Sequence, residues 1–346
     1  MSNNWKPRVL ILGPGGYKGF DMLGFLSPLD DIGMLKSIDT ICGVSVGSII
    51  ALLYIVGYTI KEIINEAIIL DVYNDISNFN INLAINNIGL LSNEKIKTRL
   101  TNLVFDKLNT IPSLKDLYTL TNKSFITISL NTTDQKCVIM DPFTHPNVSC
   151  VDACMYSINV PFIFYQLYYN NKVMIDGAFA NPYPINYFDD GNTDILGIYV
   201  SHNKNNNKKS TNDIITLITN PSDLSNNGVS PSYSVFHPEM LSNPTDLSNN
   251  NLNGIGVFDF FDKIVNYLLE LIKTLYINNS SIRCRNVELT TTLDTMIKCS
   301  LTINEKSQML VNGYNECQYF IKNINSPKYL KSTNKNLYTY PTWIAK

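Results

Sequence analysis

The chain has 346 residues, of which 45% are hydrophobic, and its formal net charge is -2 at pH 7. This length and apolar fraction suit one large α/β domain or two small ones around a sizeable core, and the nearly balanced charge argues against nucleic acid, which selects a strongly basic face. The seven cysteines include no Cys-x-x-Cys pair and no histidines at zinc-ligand spacing, so we expect buried free thiols in a reducing compartment.

The polar N-terminal residues lead directly into a short apolar run, Val9–Leu12. They lack the apolar core of a signal peptide, and no stretch of the chain reaches the roughly 18 consecutive apolar residues that a membrane span requires. We therefore expect a soluble protein made in the cytoplasm. Because glycines end the apolar run, it has the pattern of a buried parallel strand.

A glycine-rich segment follows this strand and precedes apolar residues whose spacing predicts a helix to about Asp31. The segment is Gly13-Pro14-Gly15-Gly16-Tyr17-Lys18-Gly19. Such a loop offers backbone N–H groups to an anion. The dinucleotide pattern G-x-G-x-x-G fails because its third position falls on Lys18, and the chain contains no Walker A pattern. We interpret the loop as an oxyanion hole, whose N–H donors stabilise the tetrahedral intermediate of acyl transfer.

A nucleophile elbow is predicted after the second apolar strand. The strand leads into Gly43-Val44-Ser45-Val46-Gly47, and an uninterrupted apolar helix follows. In such an elbow a sharp turn exposes the serine at the top of a sheet, and glycines stand where side chains would collide. The helix also points its positive N-terminal end at the serine. Ser45 is therefore a candidate nucleophile, and the alternative is a structural turn serine.

The middle of the chain alternates between helical and strand patterns. Helices are predicted over 59–70, 94–108, 114–120 and 151–156, and strands over 125–130 and 136–140 with a turn between them. The asparagine-rich residues 71–92 have no strong period, and we expect a surface loop or a mobile flap there.

A carboxylate ends the next apolar strand, over 172–175, where Asp176 is followed by Gly177 and Ala178. Open α/β sheets place reactive groups at the carboxyl ends of buried strands, so Asp176 is a second candidate for the chemistry. The alternative is that Asp176 only caps the turn with Gly177. Another buried strand is predicted over 195–200.

The C-terminal third has a different composition. Residues 202–256 are rich in asparagine, serine, proline and lysine and are too many for an ordinary connection, which predicts a lid or a loosely ordered insertion. An apolar stripe over 257–277 predicts a helix that packs on the core, with membrane contact or dimerisation as alternatives. Strands within 287–303 and a terminal helix over 304–321 complete the prediction, although Gly313 weakens that helix in its middle.

Three motifs in this order resemble those of the patatin-like phospholipases: Gly15-Gly16-x-Lys18-Gly19, Gly43-x-Ser45-x-Gly47 and Asp176-Gly177-Ala178. Similar landmarks lie between and beyond them, including Ser157-Ile158-Asn159-Val160-Pro161-Phe162 and Asn181-Pro182-Tyr183-Pro184. The resemblance covers roughly residues 8–200 and implies a three-layer α/β/α sandwich with a mostly parallel central sheet. We accordingly predict a catalytic core over 8–200, an insertion or lid over 201–256, and a C-terminal helical region over 257–346 that packs on the core.

By this resemblance, catalysis uses a dyad of Ser45 and Asp176 without histidine. Asp176 would act as general base on the serine hydroxyl, which is a poor nucleophile by itself, and an acyl-enzyme on Ser45 would then be hydrolysed by water. The resemblance also implies that the loop of Gly15, Gly16, Lys18 and Gly19 supplies the oxyanion N–H groups. The chain departs from the family at Pro14, where glycine is common and proline removes one N–H, and at the bulky Tyr17.

Two other interpretations stay open. The first is an α/β-hydrolase with a Ser-Asp-His triad, because His202 and His237 follow Asp176. That fold carries several strands before its elbow, whereas Ser45 follows only the second, and all three histidines, with His145, have the surroundings of surface residues. The second is a non-catalytic lipid-binding or host-interaction protein on a degenerate hydrolase scaffold, against which the intact motifs argue.

We therefore expect an acyl hydrolase that releases fatty acid from phospholipids or related lipid esters at a membrane surface. Peripheral membrane contact is expected through apolar parts of 71–92 or 225–277. We expect no metal and no cofactor, since a carboxylate activates the nucleophile and no acidic cluster has the spacing of a calcium loop. The sequence leaves the lipid head group and any activating protein partner open.

Overall fold

The computed structural model describes residues 5–69, 88–202, 279–291 and 301–330, together with Tyr267 and Ile277. The chain divides into two compact units, one formed by residues 1–202 and 261–346 and the other by residues 203–260. The second unit lies outside the described residues, as do positions 71–87 of the predicted flap and nearly all of the helix predicted over 257–277. All of the strands and helices within the described residues belong to the first unit.

The described strands and helices agree with the sequence patterns to within about two residues for most elements. The strands are β1 Val9–Leu12, β2 Thr40–Gly43, β3 Gly89–Leu91, β4 Ser124–Asn131, β5 Lys136–Met140, β6 Phe162–Phe164, β7 Leu167–Tyr169, β8 Lys172–Asp176, β9 Ile195–His202 and β10 Cys284–Thr291. The helices are α1 Gly19–Asp31, α2 Val46–Ile55, α3 Ile60–Ile69, α4 Glu94–Leu108, α5 Leu114–Thr121, α6 Cys150–Ser157, α7 Ile185–Phe188 and α8 Ile303–Lys322.

Eight of these strands form one mixed sheet in the order β10-β9-β1-β2-β4-β8-β7, with β5 also paired to β4. The strands from β10 to β4 are all parallel, whereas β5 and β8 run antiparallel to β4, and β7 runs antiparallel to β8. β3 and β6 form a separate pair. The central sheet is therefore mostly parallel, as predicted, with its antiparallel strands at one side.

Side chains along β1 show the two layers that cover the sheet. Leu10 and Leu12 belong to a large apolar cluster with the buried faces of α1, α2 and α8, whereas Val9 and Ile11 belong to a second cluster on the opposite face with Tyr183. Alternation along a strand sends successive side chains to opposite faces. Buried layers on both faces confirm the predicted α/β/α sandwich.

Residues that follow the second unit in sequence belong to the first unit and contribute a strand and a helix to it. β10 extends the sheet as a parallel edge strand beside β9, and α8 packs along α1 so closely that their backbones touch. A Cβ added at Gly24 would lie 2.2 Å from the carbonyl oxygen of Leu310, and one added at Gly313 would lie 2.0 Å from that of Asp21. Gly313, which weakens the helix on sequence grounds, is what permits this approach. Of the strands predicted within 287–303, β10 is thus present and begins earlier than predicted, at Cys284.

None of the helices in the described part of the chain combines the length and the hydrophobicity that crossing a bilayer requires.

Candidate active site

Ser45 occupies the sharp turn between β2 and α2, which is the strand, turn and helix context of a nucleophile elbow. Its backbone angles, φ 55° and ψ -129°, are strained for a residue other than glycine. The glycines on either side make the turn possible. A Cβ added at Gly43 would lie 2.4 Å from Cα of Ser48, and one added at Gly47 would lie 2.4 Å from the carbonyl oxygen of Leu12. The strained serine therefore lies where β1, β2 and α2 meet.

The structure brings Ser45 and Asp176 together across 131 positions of sequence. Oγ of Ser45 donates a hydrogen bond to Oδ2 of Asp176 at 2.5 Å, and Oδ1 of Asp176 accepts one from the N–H of Ala178 at 2.8 Å. Ser45 is 8% exposed and Asp176 only 1%. The two residues selected from the sequence thus form one buried, directly hydrogen-bonded pair, of which Ser45 is the more exposed member.

β4 lies between the strands that carry Ser45 and Asp176, and its pairing with each of them fixes the positions of the two residues along the sheet. Gly43 of β2 lies opposite Thr127, and Ser129, two residues further along β4, lies opposite Asp176. Because β8 runs antiparallel, its carboxyl end points away from the edge where parallel strands end. Asp176 reaches Ser45 because β8 ends beside Ser129, two residues before the carboxyl end of β4. The strand-end rule that suggested Asp176 from the sequence assumed instead that its own strand runs parallel to the others.

Burial controls the protonation of Asp176. Removal from water raises the pKa of its carboxyl group to about 7, against the opposing effect of the hydrogen bonds from Ser45 and Ala178. A carboxyl group with this pKa can both accept and release a proton near neutral pH, which is the property that a general base requires.

Two further hydroxyl groups hold the backbone of Ser45. Its N–H donates to Oγ of Ser157 at 3.1 Å, and its carbonyl oxygen accepts from Oγ of Ser48 at 2.6 Å. Both of these serines are fully buried. The sequence patterns assigned neither of them a role. Ser48 could have been found by its distance of three residues from Ser45, whereas Ser157 only appears among the family landmarks.

The glycine-rich loop lies against the start of α2. A Cβ added at Gly19 would lie 2.9 Å from Cγ2 of Val46. The N–H of Lys18 donates to the carbonyl oxygen of Gly15 at 2.9 Å, and the N–H of Gly19 bonds within the same short turn. In the described part of the chain, the N–H groups of Gly15 and Gly16 form no such backbone bond. Of the four predicted donors, Lys18 and Gly19 therefore already have acceptors.

The described hydrogen bonds of Ser45 Oγ and of the Asp176 carboxylate involve no histidine. The ring of His145 packs 5.9 Å from that of Tyr169, the backbone of His202 ends β9, and His237 lies outside the described residues.

A metal-binding group of three His, Cys, Asp or Glu side chains is absent from the described residues. The six cysteines within them are free, and all except Cys137 are buried.

Comparison with known proteins identifies relatives of this chain. The family model "Patatin-like phospholipase" matches residues 10–189, more than half of the chain. "Uncharacterized protein R571" of Acanthamoeba polyphaga mimivirus is 30% identical over 203 residues, which cover 57% of this chain and 67% of that protein. "Probable lipid hydrolase 463L" of Invertebrate iridescent virus 6 is 32% identical over 209 residues, covering 59% and 67%.

Among solved structures, VipD from Legionella pneumophila has a similar fold, with a TM-score of 0.52 over 92% of this chain and 67% of that one, at 15% identity. At this identity the likeness concerns the fold alone. The family model and the viral relatives carry the assignment. The chain therefore belongs to the patatin-like phospholipase family.

Proposed function

We propose that this protein is a serine acyl hydrolase that cleaves fatty-acyl esters of phospholipids or related lipids. The observation that carries the proposal is the 2.5 Å hydrogen bond from Oγ of Ser45 to the buried carboxylate of Asp176, whose pKa is raised to about 7. Membership of a lipid hydrolase family supports a lipid ester as the substrate class.

Asp176 serves as the base in both halves of the reaction. As Oγ of Ser45 attacks the ester carbonyl carbon, its proton passes to Oδ2 of Asp176. Collapse of the tetrahedral intermediate breaks the bond to the alcohol, which leaves with that proton, and Ser45 keeps the acyl group. Water then attacks the acyl-enzyme while Asp176 takes its proton, and the fatty acid is released as Ser45 is restored.

The developing oxyanion needs N–H donors that are not already used. The N–H groups of Gly15 and Gly16 fit this role better than those of Lys18 and Gly19, which bond inside the turn. The N-terminal end of α2, directly after Ser45, adds the positive end of a helix dipole. The loop and the helix together would stabilise the intermediate without a metal or cofactor.

The rival interpretations fit these contacts less well. In a Ser-His-Asp triad an imidazole stands between the serine and the carboxylate, but a separation of 2.5 Å between Ser45 and Asp176 leaves no room for a ring. A strained serine and a buried carboxylate each lower the free energy of unfolding. A non-catalytic scaffold is therefore not expected to keep them side by side. The geometry thus favours the dyad over both.

We also propose that the protein works in the cytoplasm and contacts membranes peripherally, because its lipid substrates reside there. Apolar parts of 71–92 and 225–277 are the proposed contacts, and most of these positions lie outside the described residues.

The test is fatty-acid release from mixed phospholipid vesicles by the wild type, Ser45→Ala and Asp176→Asn. We expect release by the wild type and a loss of at least about 10³-fold in both variants, as for other serine hydrolases that lose the nucleophile or its base. Ser113 and Asp116 supply a matched control, because they form an exposed serine-to-aspartate hydrogen bond of 2.7 Å elsewhere in the fold. Ser113→Ala and Asp116→Asn should retain full activity.

Three outcomes would contradict the proposal. Undiminished release by Ser45→Ala would show that another group is the nucleophile. Loss of hydrolysis in His202→Ala or His237→Ala would favour the triad. A wild type that binds vesicles yet hydrolyses neither phospholipid nor a short-chain nitrophenyl ester would favour the lipid-binding scaffold.

A further inference from the structure

Residues 157–159, at the end of α6, touch both members of the proposed dyad. The hydroxyl of Ser157 accepts the N–H of Ser45 at 3.1 Å, and the carbonyl oxygen of Asn159 accepts the N–H of Asp176 at 2.9 Å. β2 and β8 do not pair with each other, because β4 lies between them. The 157–159 segment therefore supplies a direct link between the two backbones that strand pairing does not provide.

Asn159 holds the end of β8 at two points. Besides the bond from its carbonyl oxygen to the N–H of Asp176, its Nδ2 donates to the carbonyl oxygen of Met174 at 2.9 Å. Its Oδ1 in turn accepts from Nδ2 of Asn93 at 3.4 Å. Asn159 is 2% exposed. A buried amide with all of these partners is held in one orientation, since each lost bond would leave a polar group unpaired.

Ser157 accepts a hydrogen bond from the backbone N–H of Ser45, which the sharp turn of the elbow leaves without a partner in β2 or α2. With φ at 55°, Ser45 continues neither β2 nor the first turn of α2, so its buried N–H needs an acceptor from elsewhere. The Ser157 hydroxyl supplies that acceptor. Ser48, from within α2, secures the other side of the same residue through its carbonyl oxygen.

We propose that Ser157 and Asn159 are positioning residues of the hydrolysis, which keep Oγ of Ser45 aligned with the carboxylate of Asp176. The proposal rests on the function proposed above. Neither side chain is among the partners of the reacting Oγ or of the carboxylate oxygens, so both act through the backbones of the dyad. A misplacement of about 1 Å at reacting groups can cost about 10²-fold in rate.

The experiment compares the wild type with Ser157→Ala and Asn159→Ala on a soluble short-chain nitrophenyl ester. We expect kcat to fall by about 10²-fold in each variant while KM stays within about twofold, because alignment is lost and substrate contacts are not. A fluorophosphonate probe reports on Ser45 directly, since its Oγ forms the bond to phosphorus as fluoride leaves. Labelling should slow by a similar factor as kcat.

A matched variant separates positioning from general packing. Thr127→Val removes another buried hydroxyl that bonds to α6, from Oγ of Thr127 to the carbonyl oxygen of Ala153 at 3.2 Å, without a bond to Ser45 or Asp176. Thermal unfolding would show that all three variants are folded. Thr127→Val should keep its kcat within about threefold of the wild type.

The proposal is overturned if kcat and labelling in Ser157→Ala and Asn159→Ala stay near the wild-type values, or fall no further than in Thr127→Val. In either case a wild type that depends on Ser45 would leave the proposed function intact. A wild type that is inactive and unlabelled would overturn the proposed function and this inference together.

Discussion

In the proposed mechanism, Asp176 has to meet two opposing requirements. As a general base it must be ionised, yet its burial favours the neutral form and raises its pKa from 3.8 to about 7. Between these two values the folded protein binds a proton that the unfolded chain has already released. The free energy of unfolding therefore falls as pH rises through this window. The proposed reaction therefore needs Asp176 ionised, which is the less stable form of the folded protein.

We accordingly expect Asp176→Asn to be inactive and yet more stable than the wild type. Asparagine has nearly the same shape and buries no charge, so the gain should grow from about pH 4 to about pH 7, by at most about 1.4 kcal/mol per pH unit. Above pH 7 the gain should level off. Urea unfolding of both proteins at a series of pH values measures this difference.

The free energy of unfolding of the wild type should fall as pH rises, whereas its activity should increase as pH rises through about 7. In the proposed mechanism only the ionised carboxylate can take the proton of Ser45. A stabilisation by Asp176→Asn that is independent of pH, or that shrinks as pH rises, would contradict this account of the carboxyl group.

Some residues of the candidate site could be identified from the sequence and others could not. Ser45 stands in a local motif, and the strand, turn and helix around it depend only on its neighbours. Ser157 and Asn159 owe their contacts to the placement of α6 over β4 and β8, which no local pattern specifies. The glycine-rich loop is an intermediate case. Its glycines can be recognised in the sequence, but the hydrogen bonds of the Lys18 and Gly19 N–H groups within the loop depend on how the turn folds.

At the scale of elements, the packing of α1 against α8 reverses the usual preference of a helix for alanine over glycine. Alanine is better than glycine in a free helix by about 1 kcal/mol. At Gly313, however, the added Cβ would meet the backbone of α1 at 2.0 Å, and backbone cannot move aside as the end of a side chain can. The two helices would have to separate along their contact.

We expect Gly313→Ala to lower the free energy of unfolding by about 2 kcal/mol, as for other overpacked sites. Asn315, an exposed residue on the same helix, is the control, and Asn315→Ala should be neutral or slightly stabilising. Urea unfolding of the three proteins measures both effects. A more stable Gly313→Ala would show that the helices do not approach as closely as described.

The elements that the sequence patterns missed share a physical cause. β3, β6 and β7 have three residues each, which is too short for a period to show. Their strand character comes from distant partners, such as Leu91 opposite Phe164. The direction of β8 is hidden for the same reason, since an apolar run has the same composition in either orientation. Long helices with one apolar face, such as α4, carry their own pattern and were predicted to within a residue.

At the scale of the whole molecule, the fold extends beyond the part that carries the family motifs. The family model ends at residue 189, but β10 completes one side of the sheet and α8 covers α1. The α/β/α architecture was implied by the resemblance of the three motifs to those of the family. The order of the sheet could not be predicted, because it depends on which strands pair. β10, for example, pairs with β9 although residues 203–260 separate the two strands along the chain. The insertion or lid over 201–256 stays a prediction.

The distance along the chain between Ser45 and Asp176 has a consequence for the rate at which an active molecule forms. The elbow is local, whereas the carboxylate arrives only after β8 pairs with β4 and α6 is in place, with 131 positions between the two residues. Contacts between distant residues form slowly because a long loop must close first. After dilution from urea, the helical circular dichroism signal should therefore recover before labelling of Ser45 by a fluorophosphonate. If both recovered with one rate constant, the dyad would be assembled together with the helices.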